Sequence, residues 1–333
     1  MGLFGQNYES SGVGIAKNAP KKKGFFRFME IFGRKFWKMI GLNLLYSVFF
    51  LPLVGAVTVF FLTMQGKIPS GMPSNLIIAA LVLLFAVLFG PATAGHTKIL
   101  RNYVLEKPVF MVHDFLKTFR SEFKHACIVG LLDCFVIACI GAACYVYPLM
   151  IELSGSKIYY VFFAIALSIG LVVLMMNFYM FLMMISTTLS MKHIFKNSLS
   201  LAIIALKKNV ITLLVFAAFL GIFVAIILFA DLSVSFIAMS LLPFLPASWI
   251  GLVICFNSYP VIQKYIINPY YEQRGEINPE LLGETEPDPE ETVFEDMGGK
   301  ETPIEKKKAA KSRKNGKSSG GKSSGSHKGR IIS

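Results

Sequence analysis

The 333-residue chain is 54% hydrophobic and only 16% charged, with a mean hydropathy of +0.60; that balance excludes a water-soluble globular protein and calls for several membrane spans. A net charge of +13 would suit a nucleic-acid binder, but the basic residues fall in links between apolar runs, so membrane topology accounts for them first. The five cysteines, Cys127, Cys134, Cys139, Cys144 and Cys255, lie in or beside those runs without a CxxC pair, which excludes a secreted disulfide framework and reads as small buried side chains.

Residues 1–23 are polar and end in Pro20-Lys21-Lys22-Lys23. They read as a disordered cytosolic arm, and the apolar segment that follows is too long for a signal peptide. Over 24–38 the sequence GFFRFMEIFGRKFWK mixes aromatic and basic residues, a composition that suits the headgroup boundary. A first span is expected over 39–64, kinked or broken at Pro52, and a short polar link over 65–74 faces outward. The second span covers 76–94. Near its end Gly90-Pro91 is expected to interrupt the helix and reorient the chain, because proline lacks a backbone donor and clashes one turn back.

From Asp114 the apolar residues Phe115, Leu116, Phe119, Phe123 and Ala126 recur at three- and four-residue steps, with Lys117, Arg120, Ser121 and Lys124 opposite. That pattern predicts a helix lying on a membrane surface. A third span follows over 127–150, and the apolar run 158–189 is longer than one vertical helix needs, so it tilts or continues into the cytosol. Residues 191–209 form a second amphipathic helix and 210–230 a fifth span. The sixth span is open at its start: apolar sequence begins at Leu232, yet Pro243 and Pro246 break it, so the helix starts there or near Ala247 and runs towards Tyr265.

The fold expected is thus an all-α polytopic bundle of about six spans, with a transmembrane domain over 24–269 between the arm and a charged tail over 270–333. Lysine and arginine number eight up to Lys38, six from Lys98 to Lys124 and four from Lys192 to Lys208, against Lys67 and Lys157 alone on the other side. This asymmetry places both termini inside. The tail is acidic as far as Asp296 and basic from Lys300; it cannot build a core and reads as solvated and disordered. Its basic end could meet anionic lipid, RNA or the acidic block just upstream, but no aromatic residue is interleaved for stacking, so a solubilising tail held near the negative cytosolic leaflet is preferred and nucleic acid is not expected.

The sequence carries no GxxxxGK[ST], HExxH or GxSxG and no clustered carboxylate pair, so no catalytic residue, cofactor or metal is assigned. His96, His113 and His125, even with Asp114, lack metal-ligand spacing. Asp133 stands about two turns inside the third span, where an ionisable group needs a partner or water. It flanks a stripe of Gly130, Cys134, Ile137 and Gly141 that suits close helix packing. For Asp133 an acid bonded within the bundle or reaching the nearby cytosolic surface is preferred to a proton or cation relay, because no second acid joins it, and for Asn177 in the fourth span a bond between helices is preferred to a ligand for a solute. Met175, Met176, Met180, Met183 and Met184 around it read as soft packing.

The stretches GRKFWKMIGLNLLYSVFFLPLVG and GPATAGHTKILRNYVLEKPVFMVHDFLKTFRSEFKHA resemble the YesL family of bacterial integral membrane proteins of unknown function, over roughly 24–270. The likeness is most specific at Gly90, Pro91, Ala92 and Thr93 in the GPATAG turn, and at Asp114, Phe115, Phe119, Phe123 and Lys124. An insertion after Pro52 and the long tail depart from the shorter family pattern. The resemblance implies a bacterial cell membrane and, from the family's usual setting, a non-enzymatic auxiliary or regulatory role beside a carbohydrate transporter complex. Two further functions are open: a small transporter using Asp133 and Asn177, and a membrane anchor with a polyanion-binding tail.

Overall fold

The computed structural model describes residues 24–229, 231, 246–276 and 278. The arm over 1–23, nearly all of the tail, and Pro243 lie outside the described residues. The chain divides into two units after Gln263.

The described residues of the first unit form helices joined by short links, with no strand among them. Helix α1 (Phe25–Ser47) ends in one 3-10 turn, Val48–Phe50, and α2 (Leu51–Met64) resumes beyond it. Pro52 falls in the first turn of α2, where its missing donor removes no helical bond; the break expected there is found. Then come α3 (Met72–Val104), α4 (Met111–Ser121), α5 (Phe123–Ser154), α6 (Ile158–Ser186), α7 (Met191–Ile204), α8 (Leu206–Phe229) and α9 (Pro246–Ile262). Among the described residues, six stretches are long and apolar enough to cross a membrane: Phe25–Met64, Met72–Val104, Phe123–Ser154, Ile158–Ser186, Leu206–Ile226 and Ala247–Gln273. In the second unit, a short helix α10 (Asn268–Gln273) closes on Gly275 in the left-handed region, so residues 270–273 are helical.

Helix α3 is the hub, packing on α1, α2, α4, α5, α6 and α9, while α9 packs on α1, α3, α6 and α8. The interruption expected at Gly90-Pro91 does not occur: α3 runs unbroken for 33 residues with Pro91 inside it. Proline removes one helical bond there, but the close contact of Gly90 with Ala126 and Gly130 of α5 holds the helix in line. The motif's glycines serve packing instead. A Cβ on Gly90 would lie 1.9 Å from the carbonyl oxygen of Ala126 on α5, and one on Gly95 would lie 3.0 Å from the carbonyl oxygen of Phe115 on α4.

The surface helix is shorter than its periodicity implies. The chain bends at Glu122, so Phe123, Lys124 and Ala126 open α5 rather than continue α4. The two helices need different directions: Phe115 of α4 is seated fully buried beside Gly95 and stacks on Phe49, whereas Ala126 and Gly130 press α5 onto Gly90. Asp114 accepts a hydrogen bond from the Phe110 backbone N–H at 2.9 Å, tying off the start of α4. The second amphipathic helix likewise ends at Ile204, and Lys207, Lys208 and Asn209 belong to α8. Of the small-residue stripe on α5, Gly130 is packed, but Ile137 is exposed and nothing lies within 4 Å of a Cβ on Gly141.

Two of the aromatic residues near the start of α1 turn inward. Phe28 sits 5.5 Å from Phe256 and Phe32 sits 5.3 Å from Trp249, both edge-on, which fastens α1 to α9. Phe25, Phe26 and Trp37 remain exposed, as a headgroup anchor requires.

Candidate functional site

Polar side chains are scarce in these spans, and several of them converge. Asn43 and Tyr46 share one face of α1, Thr93, His96 and Thr97 one face of α3, and Ser248 and Gly251 one face of α9. Tyr46, Thr93, His96, Thr97 and Gly251, together with Asp133 of α5 and Asn177 of α6, line a cavity of about 330 Å³, and Asn43 and Ser248 stand behind His96. Phe89, Phe178, Phe181 and Phe216 complete much of its apolar wall.

Each polar group has a traceable bond. Asn177 donates from Nδ2 to Oδ1 of Asp133, joining α6 to α5, and Asp133 is only 5% exposed. The two span residues singled out in the sequence are therefore each other's partner, while Oδ1 of Asn177 is buried and accepts no hydrogen bond from the chain. Tyr46 Oη lies 2.8 Å from Thr93 Oγ1. Because the Thr93 hydroxyl donates to the Phe89 carbonyl, the proton in the Tyr46–Thr93 bond comes from Tyr46.

The Tyr46 ring stacks on His96 with centroids 4.5 Å apart. His96 Nε2 lies 3.0 Å from Ser248 Oγ, and Ser248 donates through both N–H and O–H to Asn43 Oδ1. That chain of bonds assigns the proton of the neutral imidazole to Nε2 and leaves Nδ1 as an acceptor beside Gly251. One turn beyond Thr97, Arg101 is fully buried, donates to Tyr259 Oη at 2.6 Å and stacks 4.7 Å from the Tyr259 ring centre, clamping α3 to α9.

The other sequence candidates fall elsewhere. Gly90, Pro91 and Ala92 are buried at the α3–α5 crossing, and only Thr93 of that turn reaches the cavity. Asp114, Phe115, Phe119, Phe123 and Lys124 belong to the α4 and α5 junction and do not line it. His113 and His125 are exposed, apart from buried His96, and no three His, Cys, Asp or Glu gather among the described residues. Met175, Met180, Met183 and Met184 are buried in packing. Asn43, Tyr46, Thr97 and Ser248 were not singled out by the sequence; their signal is a polar residue at helical spacing inside an apolar run.

Residues 39–146, from within α1 to within α5, match a family model described as "Protein of unknown function, DUF624". No curated protein and no solved structure matches the chain. The matched stretch holds Asn43, Tyr46, Thr93, His96, Thr97 and Asp133; Asn177 and Ser248 come from outside it.

Proposed function

We propose that this chain is a non-enzymatic multi-pass membrane protein that takes a small solute between its spans, with Asp133 and Asn177 as the groups that meet it. The observation that carries this reading is the cavity itself, in which a carboxylate and an amide from two helices meet a largely apolar wall. A concave apolar site with a few convergent polar groups is the usual form of a small-molecule site, and an ionisable residue inside a span marks a solute path. In this reading the basic links lie in the cytosol of a bacterial cell, and both termini with them.

A second reading makes the protein an auxiliary component of carbohydrate uptake. Helix α4 supports it: Phe115 fixes the helix to the bundle while Phe110 and Val112 stay exposed, leaving an apolar face for a transporter subunit. The likeness of GPATAG and the Asp114–Lys124 spacing to YesL points the same way. A polyanion-binding tail draws on residues outside the described ones, and no geometry favours it.

The test is reconstitution of the purified full-length protein in liposomes, with uptake of a labelled amine, hexose and carboxylate compared for wild type and Asp133→Asn. Uptake of one of them above protein-free liposomes, cut at least tenfold by the substitution, supports a solute path. No uptake of any, together with copurification of carbohydrate-transport subunits that Phe110→Asp abolishes, replaces it with the auxiliary reading.

A further inference from the structure

The chemistry of the cavity wall narrows the solute, on the premise that the solute-binding reading above holds. Every hydroxyl proton that can be traced is already directed into the protein: Thr93 donates to the Phe89 carbonyl, Thr97 to the Thr93 carbonyl at 2.7 Å, and Tyr46 to Thr93. The Nε2 proton of His96 goes to Ser248, whose own hydroxyl proton goes to Asn43. The wall then offers mainly acceptors: the Asp133 carboxylate, lone pairs on Tyr46 and Thr97, and Nδ1 of His96. The donors left over are the second Nδ2 hydrogen of Asn177 and the weak thiol of Cys255.

Charge points in the same direction. Among the described residues that line the cavity, Asp133 is the one carboxylate, and no lysine or arginine joins it. An anion would face an uncompensated carboxylate. A neutral sugar would bring one acceptor oxygen with each hydroxyl proton and set acceptor against acceptor, which is costly away from water. Phe89, Phe178 and Phe181 line the cavity beside Asp133, and aromatic rings attract a cation.

We infer that the cavity takes a small organic cation rich in N–H donors, of the protonated primary amine class, with its ammonium on Asp133 and its apolar body among the phenylalanines. The test uses full-length protein in lipid nanodiscs and three probes of matched shape: 2-phenylethylamine, 2-phenylethanol and 3-phenylpropionate. Binding is followed by calorimetry for wild type, Asp133→Asn, and Ala247→Leu, which fills the cavity from α9 without touching a charge. The amine is expected to bind at least tenfold more tightly than the alcohol, with the carboxylate weakest. Asp133→Asn removes that preference, and Ala247→Leu weakens the amine even if Asp133→Asn fails to fold. Equal or tighter binding of the alcohol or the carboxylate overturns the inference and leaves the solute-binding reading standing. Sodium displacing the amine also overturns it, in favour of a metal-ion site. Failure of all three probes on folded protein overturns the inference, and liposome uptake of the hexose then decides the broader reading separately.

Discussion

Gly90 of α3 and Gly130 of α5 bring two helix backbones into direct contact. A Cβ on Gly130 would fall 2.5 Å from the Cα of Gly90, and one on Gly90 would fall 1.9 Å from the carbonyl oxygen of Ala126. Neither obstacle is a side chain that can swing away, so Gly130→Ala must push the helices apart. The expected loss is about 1–3 kcal/mol, the usual range for overpacking. Gly141→Ala is the control: nothing lies within 4 Å of its Cβ, and it should be neutral or gain up to about 1 kcal/mol from helix propensity. Thermal unfolding in one detergent compares the two, and equal midpoints would refute the contact.

Phe115 seats α4. It is fully buried beside Gly95 and stacks on Phe49 with centroids 5.6 Å apart, whereas Lys117 is exposed. Phe115→Ala should cost about 3–5 kcal/mol and open the links on either side of α4 to protease. Lys117→Gln should leave cleavage unchanged. Phe119 stacks 5.1 Å from Phe49 at the edge of the same contact, so Phe119→Asp should open α4 to a lesser degree than Phe115→Ala. Equal sensitivity of the Phe115 and Lys117 variants in membranes argues against this docking.

Asn209 joins three helices. Its Oδ1 accepts from Tyr179 of α6 at 2.5 Å, and its amide donates to the Ala202 carbonyl at 2.9 Å near the end of α7, while its own backbone belongs to α8. Asn209→Leu strands the Tyr179 hydroxyl and that carbonyl together, at a cost of about 2–3 kcal/mol. Tyr179→Phe removes one bond and should cost about 1 kcal/mol. A double-mutant cycle on melting midpoints checks the pair; strictly additive losses would show that the two do not interact.

Glu106 closes α3 in the left-handed region, φ 59°, where glycine is usual. The Lys107 N–H bonds the Asn102 carbonyl and the Glu106 N–H the Tyr103 carbonyl, and Pro108 follows. The glutamate is also 2.9 Å from Arg34, with both side chains partly exposed. A pair of that exposure contributes at most about 1 kcal/mol, similar to the backbone strain of a non-glycine residue. Glu106→Gln, which keeps the strain and loses the pair, should therefore be less stable than Glu106→Gly by about 1 kcal/mol. The reverse order in chemical denaturation would contradict the assignment.

The number of helices long enough to span was legible because an apolar run of about twenty residues has few other uses. The irregular turn before Pro52 was legible for a local reason, since proline is tolerated in a first turn, whereas apolar sequence on both sides of Pro243 and Pro246 leaves the start of α9 open. Gly90-Pro91 misled because local chemistry favours a break there, while a tertiary contact with Ala126 and Gly130 decides the outcome. The bend at Glu122 is hidden in a continuous periodicity, since α4 and α5 each have an apolar face and only their different partners force them apart. Asp133 and Asn177 stood out as rare polar residues, yet their pairing depends on how α5 crosses α6, which spacing within one helix does not encode. The rest of the cavity wall comes from α1, α3 and α9, each giving one short polar cluster that alone resembles ordinary helix glue.

The central claim is a cavity that water-borne cations reach and anions avoid. Cys255, 1% exposed, lines it from a different helix than Asp133, α9. With Cys127, Cys134, Cys139 and Cys144 replaced by alanine, the rate of Cys255 modification by the cationic ethylammonium methanethiosulfonate and its anionic ethylsulfonate counterpart tests that claim most directly. The account predicts that the cationic reagent reacts at least tenfold faster, that Asp133→Asn removes the preference, and that 2-phenylethylamine protects the thiol. Equal rates with the two reagents, or a cationic preference that survives Asp133→Asn, would contradict it.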